Sequence, residues 1–158
     1  MVTFATLCYL QRGNKVLLQR KARGLFGEGR WNAPGGKMRN GESPEKGAIR
    51  EMFEETGLRV YALTFSGVLN FYLGESRKLD QVVFLFSCKK STGRMRRSNE
   101  GELKWFTIKS IPYNDMWEDD RIWLPQLLIG NSYVGDFYFS ENYKKLESHK
   151  IHEATRTP

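Results

Sequence analysis

Apolar residues run through this chain in two rhythms, and the change from one to the other outlines the elements. TFATLCYL at 3–10 and VLLQR at 16–20 read as strands, with Gly13-Asn14 as the turn between them. Residues 66–73 and 81–88 are β-rich, and VVFLF at 82–86 suits a buried strand while being far too short to cross a membrane. LKWFTI at 103–108 and Tyr133 to Phe139, with Gly135 inside it, add two more. A helical rhythm appears at 44–56, and a second helix is predicted from Asp119 or Asp120 to Leu128, where Pro125 requires it to be short or kinked. The stretches between are polar or glycine-rich: RGLFGEGRWNAPGG at 23–36, GESRKLD at 74–80 and the basic KKSTGRMRRSN at 89–99 read as loops. Residues 141–158 are expected to form a C-terminal strand or tail, loose over the last half-dozen residues.

The first helix is the best specified. Ser43 suits the N-cap, Pro44 the first helical position, and Gly57 a left-handed stop. At 100° per residue Ala48, Ile49, Met52 and Thr56 share one arc, while Glu51, Glu54 and Glu55 occupy the next. One arc packs and the other presents three carboxylates. Like charges at three- and four-residue spacing cost a bare helix a few tenths of a kcal/mol per pair, so a counter-charge is expected. Mg2+ fits, because it works with a few carboxylates, retained waters and substrate phosphates. A solvated acidic stripe is the plainer alternative for three glutamates taken alone.

They do not stand alone. From Gly36 to Leu58 the chain reads GKMRNGESPEKGAIREMFEETGL: Gly, five residues, Glu42, seven residues, Arg50-Glu51-Met52, one residue, Glu54-Glu55, one residue, Gly57-Leu58. From average residue usage, a chance match is on the order of one in ten million per starting position. This pattern resembles the Nudix box. The resemblance implies an α+β Nudix fold, an α/β/α sandwich around a mixed sheet, and hydrolysis of a nucleoside diphosphate linked to another group. It also implies roles. Glu51 binds metal or activates water and is held by Arg50; Glu54 and Glu55 are metal ligands; the Gly35 carbonyl completes the shell. A further metal ligand in such enzymes comes from a loop before a late strand, where Glu100 matches and Glu102 is close. Glu42 is expected to neutralise Arg50 or brace the loop. The implied cofactor is Mg2+, with Mn2+ as a substitute.

The 158 residues suit one domain spanning 1–158, with a core rich in its four Trp, seven Tyr and ten Phe. A net charge of +7 and pI near 9.5 favour anionic partners, of which a nucleotide is a small example. Lys21 and Arg23, just upstream of the glycine-rich loop, are placed to reach phosphates or to stay solvated. Cys8 and Cys88 sit in apolar, strand-like surroundings without metal spacing and read as reduced packing residues. No signal-like N-terminus and no apolar run near the roughly 18 residues of a membrane span is present, so a cytoplasmic monomer without membrane partners is expected.

Substrate choice must be read outside the box. GRWNAPGGK at 29–37 and IPYNDMWEDDRIWLPQLL at 111–128 resemble the oxidised-purine nucleoside triphosphatases of animals. That resemblance implies that Asn32, Asp119 and Asp120 hydrogen-bond a purine, that Trp117 stacks on it, and that Thr6 and Phe71 wall the pocket. Cleavage of a substrate such as 8-oxo-dGTP to monophosphate and pyrophosphate, cleansing the nucleotide pool, would follow. Adjacent carboxylates push one pKa upward, so one Asp can donate while the other accepts. Ala33, Pro34 and a longer loop depart from that family's pattern. Without the resemblance, Asp119 and Asp120 read as a helix N-cap with an acidic neighbour, and Trp117 and Trp123 as core residues. The alternatives are a Nudix pyrophosphatase of another substrate (general dNTP, ADP-ribose, dinucleotide or RNA cap) and a non-catalytic nucleotide-binding module. RNA binding through RMRRSN ranks last because that segment lacks interleaved aromatic residues.

Overall fold

Strand β1 (Thr3–Arg12) turns through Gly13 into antiparallel β2 (Lys15–Lys21), pairing Gln11 with Val16. Along its other edge β1 lies parallel to β7 (Lys78–Cys88), from Thr3 opposite Gln81 to Leu10 opposite Cys88. The computed structural model describes residues 1–154, and in it these strands form the middle of a nine-stranded mixed sheet. Its long path runs from β11 (Leu146–Ala154) through β10 (Ser132–Phe139), β6 (Thr64–Leu73), β7, β1 and β2 to β3 (Trp31–Asn32). Two strands pair off this path: β4 (Gly35–Lys37) with the first half of β1, and β9 (Gly101–Thr107) with β2.

Strand alternation explains why helices cover both faces of this sheet. Cys8 and Leu10 of β1 and Leu17 of β2 point to the side where α1 (Pro44–Thr56) packs Ala48 and Met52. Tyr9, Val16 and Leu18 point the opposite way, into the core that contains Trp123, Leu124 and Leu127 of α2 (Asp120–Leu128). The sandwich of two helices around a mixed sheet is therefore present. Met52 has no solvent exposure, and trimming it to Ala would cost about 2–5 kcal/mol.

Helix α1 has the predicted ends. The Ser43 hydroxyl accepts from the Lys46 N–H, and Gly57 takes the left-handed conformation at φ 81°. Helix α2 is short, with Pro125 inside it.

Elsewhere the structure corrects the reading. The glycine-rich stretch is not all loop, since it holds β3 and β4. A Cβ on Gly35 would lie 1.9 Å from the Thr6 carbonyl oxygen, so only glycine lets β4 lie this close to β1. Residues 90–92 of the basic segment form β8 (Lys90–Thr92), which pairs with β5 (Arg59–Tyr61) in a separate small sheet. The loop predicted at 74–80 is shorter, because Lys78, Leu79 and Asp80 already belong to β7. Strand β11 takes Glu153 and Ala154 from the expected tail, and the remaining tail residues 155–158 lie outside the described residues. Its sequence LESHKIHEA is largely polar, which suits a sheet edge but hides the strand from pattern reading. Among the described residues no helix is long and apolar enough to cross a membrane.

Candidate active site

The carboxylates of α1 do not form one uniform face. Glu54 is 43% exposed and Glu55 only 4%, because Glu55 turns inward over β4 and β2. There it accepts from the Gly35 N–H at 3.0 Å and lies 3.8 Å from Lys21 Nζ. Burial pushes its pKa up to about 8, against the opposing pull of Lys21 and Gly35. Lys21 also reaches Glu100 at 3.5 Å. Glu102, by contrast, is exposed and pairs opposite Arg20 across β2 and β9, so of the two candidates only Glu100 lines the cavity.

Arg50 organises the rest of this end. Its guanidinium donates to both oxygens of Glu42 at 2.7 and 2.9 Å, to Glu51 at 2.8 Å, to Glu54 at 3.1 Å and to the Lys37 carbonyl at 3.2 Å. The paired bonds from Arg50 hold Glu42 down at about 2, and Glu42 in turn raises Arg50 further. Glu54 is additionally held by Arg39 at 3.1 Å, a partner the spacing did not suggest. Gly36 lets Glu51 approach the strand, since a Cβ there would lie 2.8 Å from the Glu51 carboxyl carbon. Among the described residues no three His, Cys, Asp or Glu side chains are arranged as a metal-holding group. The chemistry of the donor set nonetheless fits a hard cation. Glu51, Glu55 and Glu100 bring only oxygen donors to one cavity wall, and Glu55 is buried with one N–H and one distant ammonium for company.

The cavity has a volume of about 640 Å3, within the usual range for small-molecule sites. Its opposite end is lined by Asn32, Asp119 and Asp120. Both aspartates are 2% exposed, and Asp119, although it holds the N-cap position of α2, makes no side-chain capping hydrogen bond, which removes the surface N-cap reading. Asp119 accepts from the Trp123 indole N–H at 2.8 Å, whereas Asp120 Oδ2 is buried without a hydrogen-bond partner among the described residues. Burial raises Asp119 to about 6 and Asp120 well above the ordinary range, with Asp119 adding to the rise in Asp120. The Asn32 carbonyl oxygen accepts from the Ala33 N–H at 2.8 Å and from the Tyr9 hydroxyl at 3.4 Å, which fixes its amide N–H2 as the free group. Thr6 Oγ1 is another buried atom without a partner among the described residues, and Phe71 lines the same cavity.

Trp117 forms part of the wall, and its ring already has two close side-chain neighbours. Phe26 stacks on it with centroids 5.2 Å apart, and the Arg30 guanidinium lies 4.3 Å from its ring centre. Trp123 is both core and cavity lining, packed edge-on by Tyr9.

Of the residues singled out from the sequence, Thr6, Lys21, Asn32, Gly35, Glu51, Glu55, Phe71, Glu100, Trp117, Asp119 and Asp120 all line this cavity. Arg50 and Glu54 stand behind it, and Arg23 is exposed away from it. Sequence reading missed Phe26, Tyr9 and Tyr143. An aromatic residue between glycines was the available signal for Phe26; Tyr143 offered none.

Comparison with known proteins identifies the family. The NUDIX domain model matches residues 1–127. The chain belongs to the Nudix family. Two relatives of this Nudix chain are named oxidized purine nucleoside triphosphate hydrolase. The Danio rerio protein is 38% identical over 94% of this chain and 93% of its own length, and the Mus musculus protein 40% identical over 86% of each. Among solved structures, the mutator MutT protein of Bacillus halodurans superposes with a TM-score of 0.83 at 28% identity, covering 95% of this chain and 97% of its own.

Proposed function

We propose that this Nudix chain hydrolyses oxidised purine nucleoside triphosphates, such as 8-oxo-dGTP, to the monophosphate and pyrophosphate, and so cleanses the nucleotide pool. The observation that carries the reading is one cavity joining Glu51, Glu55, Glu100 and Lys21 at one end to Asn32, Asp119 and Asp120 at the other. The names and coverage of the two animal relatives support it. Residues 1–158 act as one domain in this reading, as a cytoplasmic monomer.

Glu51, Glu54, Glu55, Glu100 and the Gly35 carbonyl would hold Mg2+, with Mn2+ as a substitute. When bound, the cation supplies positive charge to the phosphate oxygens and lowers the pKa of water. The chain's own groups do the rest. Arg50 fixes Glu51 against Gly36 so that its carboxylate is already in place. Lys21 adds positive charge beside the phosphates, where repulsion of an incoming nucleophile must be overcome. At the base end the two aspartates carry different burdens: Asp119 accepts from Trp123, while Asp120, kept protonated by burial, donates to the purine edge. The fixed N–H2 of Asn32 requires an acceptor on the base.

The test is a kcat/KM panel of oxidised and normal purine nucleoside triphosphates with Mg2+, alongside ADP-ribose and capped RNA. Higher kcat/KM for an oxidised purine than for its normal counterpart is expected. Equal values for 8-oxo-dGTP and dGTP would refute the specificity, and cleavage of ADP-ribose or capped RNA alone would refute the substrate class.

A further inference from the structure

Three polar side chains in the cavity have no part in the reading above. The Tyr143 hydroxyl donates to Asp80 Oδ2 at 2.5 Å and accepts from Gln81 Nε2 at 3.1 Å, and all three residues line the cavity. Asp80 and Gln81 lie near the start of β7, whereas Tyr143 comes from the turn between β10 and β11. In that turn Asn142 and Tyr143 both adopt left-handed backbone, at φ 59° and 57°. Such a conformation is unfavourable for a bulky aromatic residue and persists only where the surroundings enforce it. Here it carries the Tyr143 ring to within 5.7 Å of Trp117 and its hydroxyl to β7.

The strand register and the aromatic contacts set this cluster near both the glycine strand and Trp117. Gln81 pairs with Thr3 on β1, and on the far edge of β1 Ala5 and Thr6 pair with Lys37 and Gly36 of the glycine strand. The glycine strand is thus one strand across and two to three residues along from Gln81, and Trp117 packs against Tyr143. In a nucleoside triphosphate the part lying between base and phosphates is the sugar. The free valences agree. With two hydrogen bonds made, Asp80 Oδ1 and Gln81 Oε1 have no other partner among the described residues. A carboxylate beside them repels phosphate, so the matching ligand groups are hydroxyls that donate.

We propose that Asp80, Gln81 and Tyr143 form a sugar-hydroxyl subsite, in which Asp80 and Gln81 accept from the 2′- and 3′-hydroxyls and Tyr143 holds both acceptors in place. The subsite rests on the proposed nucleoside triphosphate substrate. It is tested by measuring kcat and KM for matched ribo-, 2′-deoxy- and 2′,3′-dideoxy- forms of 8-oxoguanosine triphosphate with wild type, Asp80→Asn and Tyr143→Phe. For wild type, KM should rise roughly tenfold or more from the ribo to the dideoxy substrate, since hydrogen bonds to a charged acceptor are lost, with kcat little changed. Each variant should raise KM for the ribo substrate by a similar factor and leave KM for the dideoxy substrate within about twofold. Wild type indifferent to both hydroxyls, a comparison that needs no variant to fold, overturns the subsite while leaving the substrate class intact. So do variants that raise KM equally for all three substrates. Failure to cleave any of the three, with ADP-ribose or capped RNA cleaved, overturns both the subsite and the function beneath it.

Discussion

The two ends of the cavity handle buried acid in opposite ways. At the phosphate end each carboxylate has a cationic neighbour: Arg50 reaches Glu42, Glu51 and Glu54, and Lys21 reaches Glu55 and Glu100. At the base end Asp119 and Asp120 are buried as deeply as Glu55, with an indole N–H and, among the described residues, no cation as hydrogen-bond partner. Charge is held at one end and suppressed at the other. A site that must bind polyphosphate needs ionised groups and positive charge, whereas one that reads a neutral heterocycle gains from a carboxyl group that keeps its proton. Glu55 stands between the two regimes, partnered like the first and desolvated like the second.

The sharpest way to break this comparison is to neutralise the phosphate end. Glu55→Gln is expected to lower kcat roughly 100-fold or more while the fold persists, because it removes charge that acts mainly in the transition state. Glu51→Gln should be similarly slow. Pyrophosphate release measured at saturating Mg2+ decides the matter, and near-normal turnover in both variants would sink the assignment. The same residue makes a stability prediction. Burial raises the pKa of Glu55 in the folded chain to about 8 from an ordinary 4.5, so the folded state holds this proton more tightly than the unfolded state does. The resulting stability is full below pH 4.5 and is lost as pH rises through about 8. Without divalent ions, the unfolding free energy from denaturant titrations should therefore fall between pH 5 and 9 by an amount on the order of a few kcal/mol at most. Mg2+ should restore much of it at high pH by binding the folded state, and Glu55→Gln should flatten the slope.

The difference between the ends also explains how much was legible in the sequence. The phosphate end is mostly one helix and the strand before it, so residue spacing put Glu51, Glu54 and Glu55 on one arc, the resemblance to the Nudix box gave them and Arg50 their roles, and the cap residues Ser43 and Gly57 gave the helix its limits. What spacing could not give was rotation: nothing in the pattern says that Glu55 turns inward and Glu54 outward. The base end is assembled from Thr6, Asn32, Phe71 and the 117–120 segment, whose meeting depends on the sheet order. Family resemblance named those residues where periodicity was silent. Tyr143 escaped both routes, because its position depends on a left-handed turn between two edge-side strands. The short β3, β4, β5 and β8 were hidden because two or three residues carry too little period to detect.

Two variants probe the base end at smaller amplitude. Asp119→Ala and Asp120→Asn should each reduce the preference for an oxidised purine over the normal one by roughly tenfold to 100-fold in kcat/KM, the scale of a lost hydrogen bond in a dry pocket. They should differ in stability. Asp119→Ala leaves the Trp123 indole N–H unpaired, so it alone should lower the denaturant midpoint. Trp117→Ala is expected to raise KM for purine substrates by about 1–3 kcal/mol of lost stacking, toward the lower figure because Phe26 and Arg30 already cover the ring. An unchanged KM in a folded variant would make Trp117 a packing residue.

The smallest expected effect sharpens where the phosphate end stops. Glu100 and Glu102 are two residues apart, and strand alternation would send both to the same side if β9 began before them. It does not: β9 starts at Gly101, and Glu100 precedes it with its backbone N–H bonded to the Ser98 hydroxyl. Its carboxylate is thereby freed to meet Lys21 in the cavity, while Glu102 stays in register opposite Arg20 and faces solvent. Glu100→Gln should accordingly lower kcat by roughly tenfold, the scale of one charged contact near the phosphates. Glu102→Gln should stay within about twofold of wild type, as exposed charges far from a site usually do. Parallel kcat measurements on the two variants separate the assignments, and the reverse order of effects would mean that the ligand-bearing loop is shifted by two residues from where the sheet register puts it.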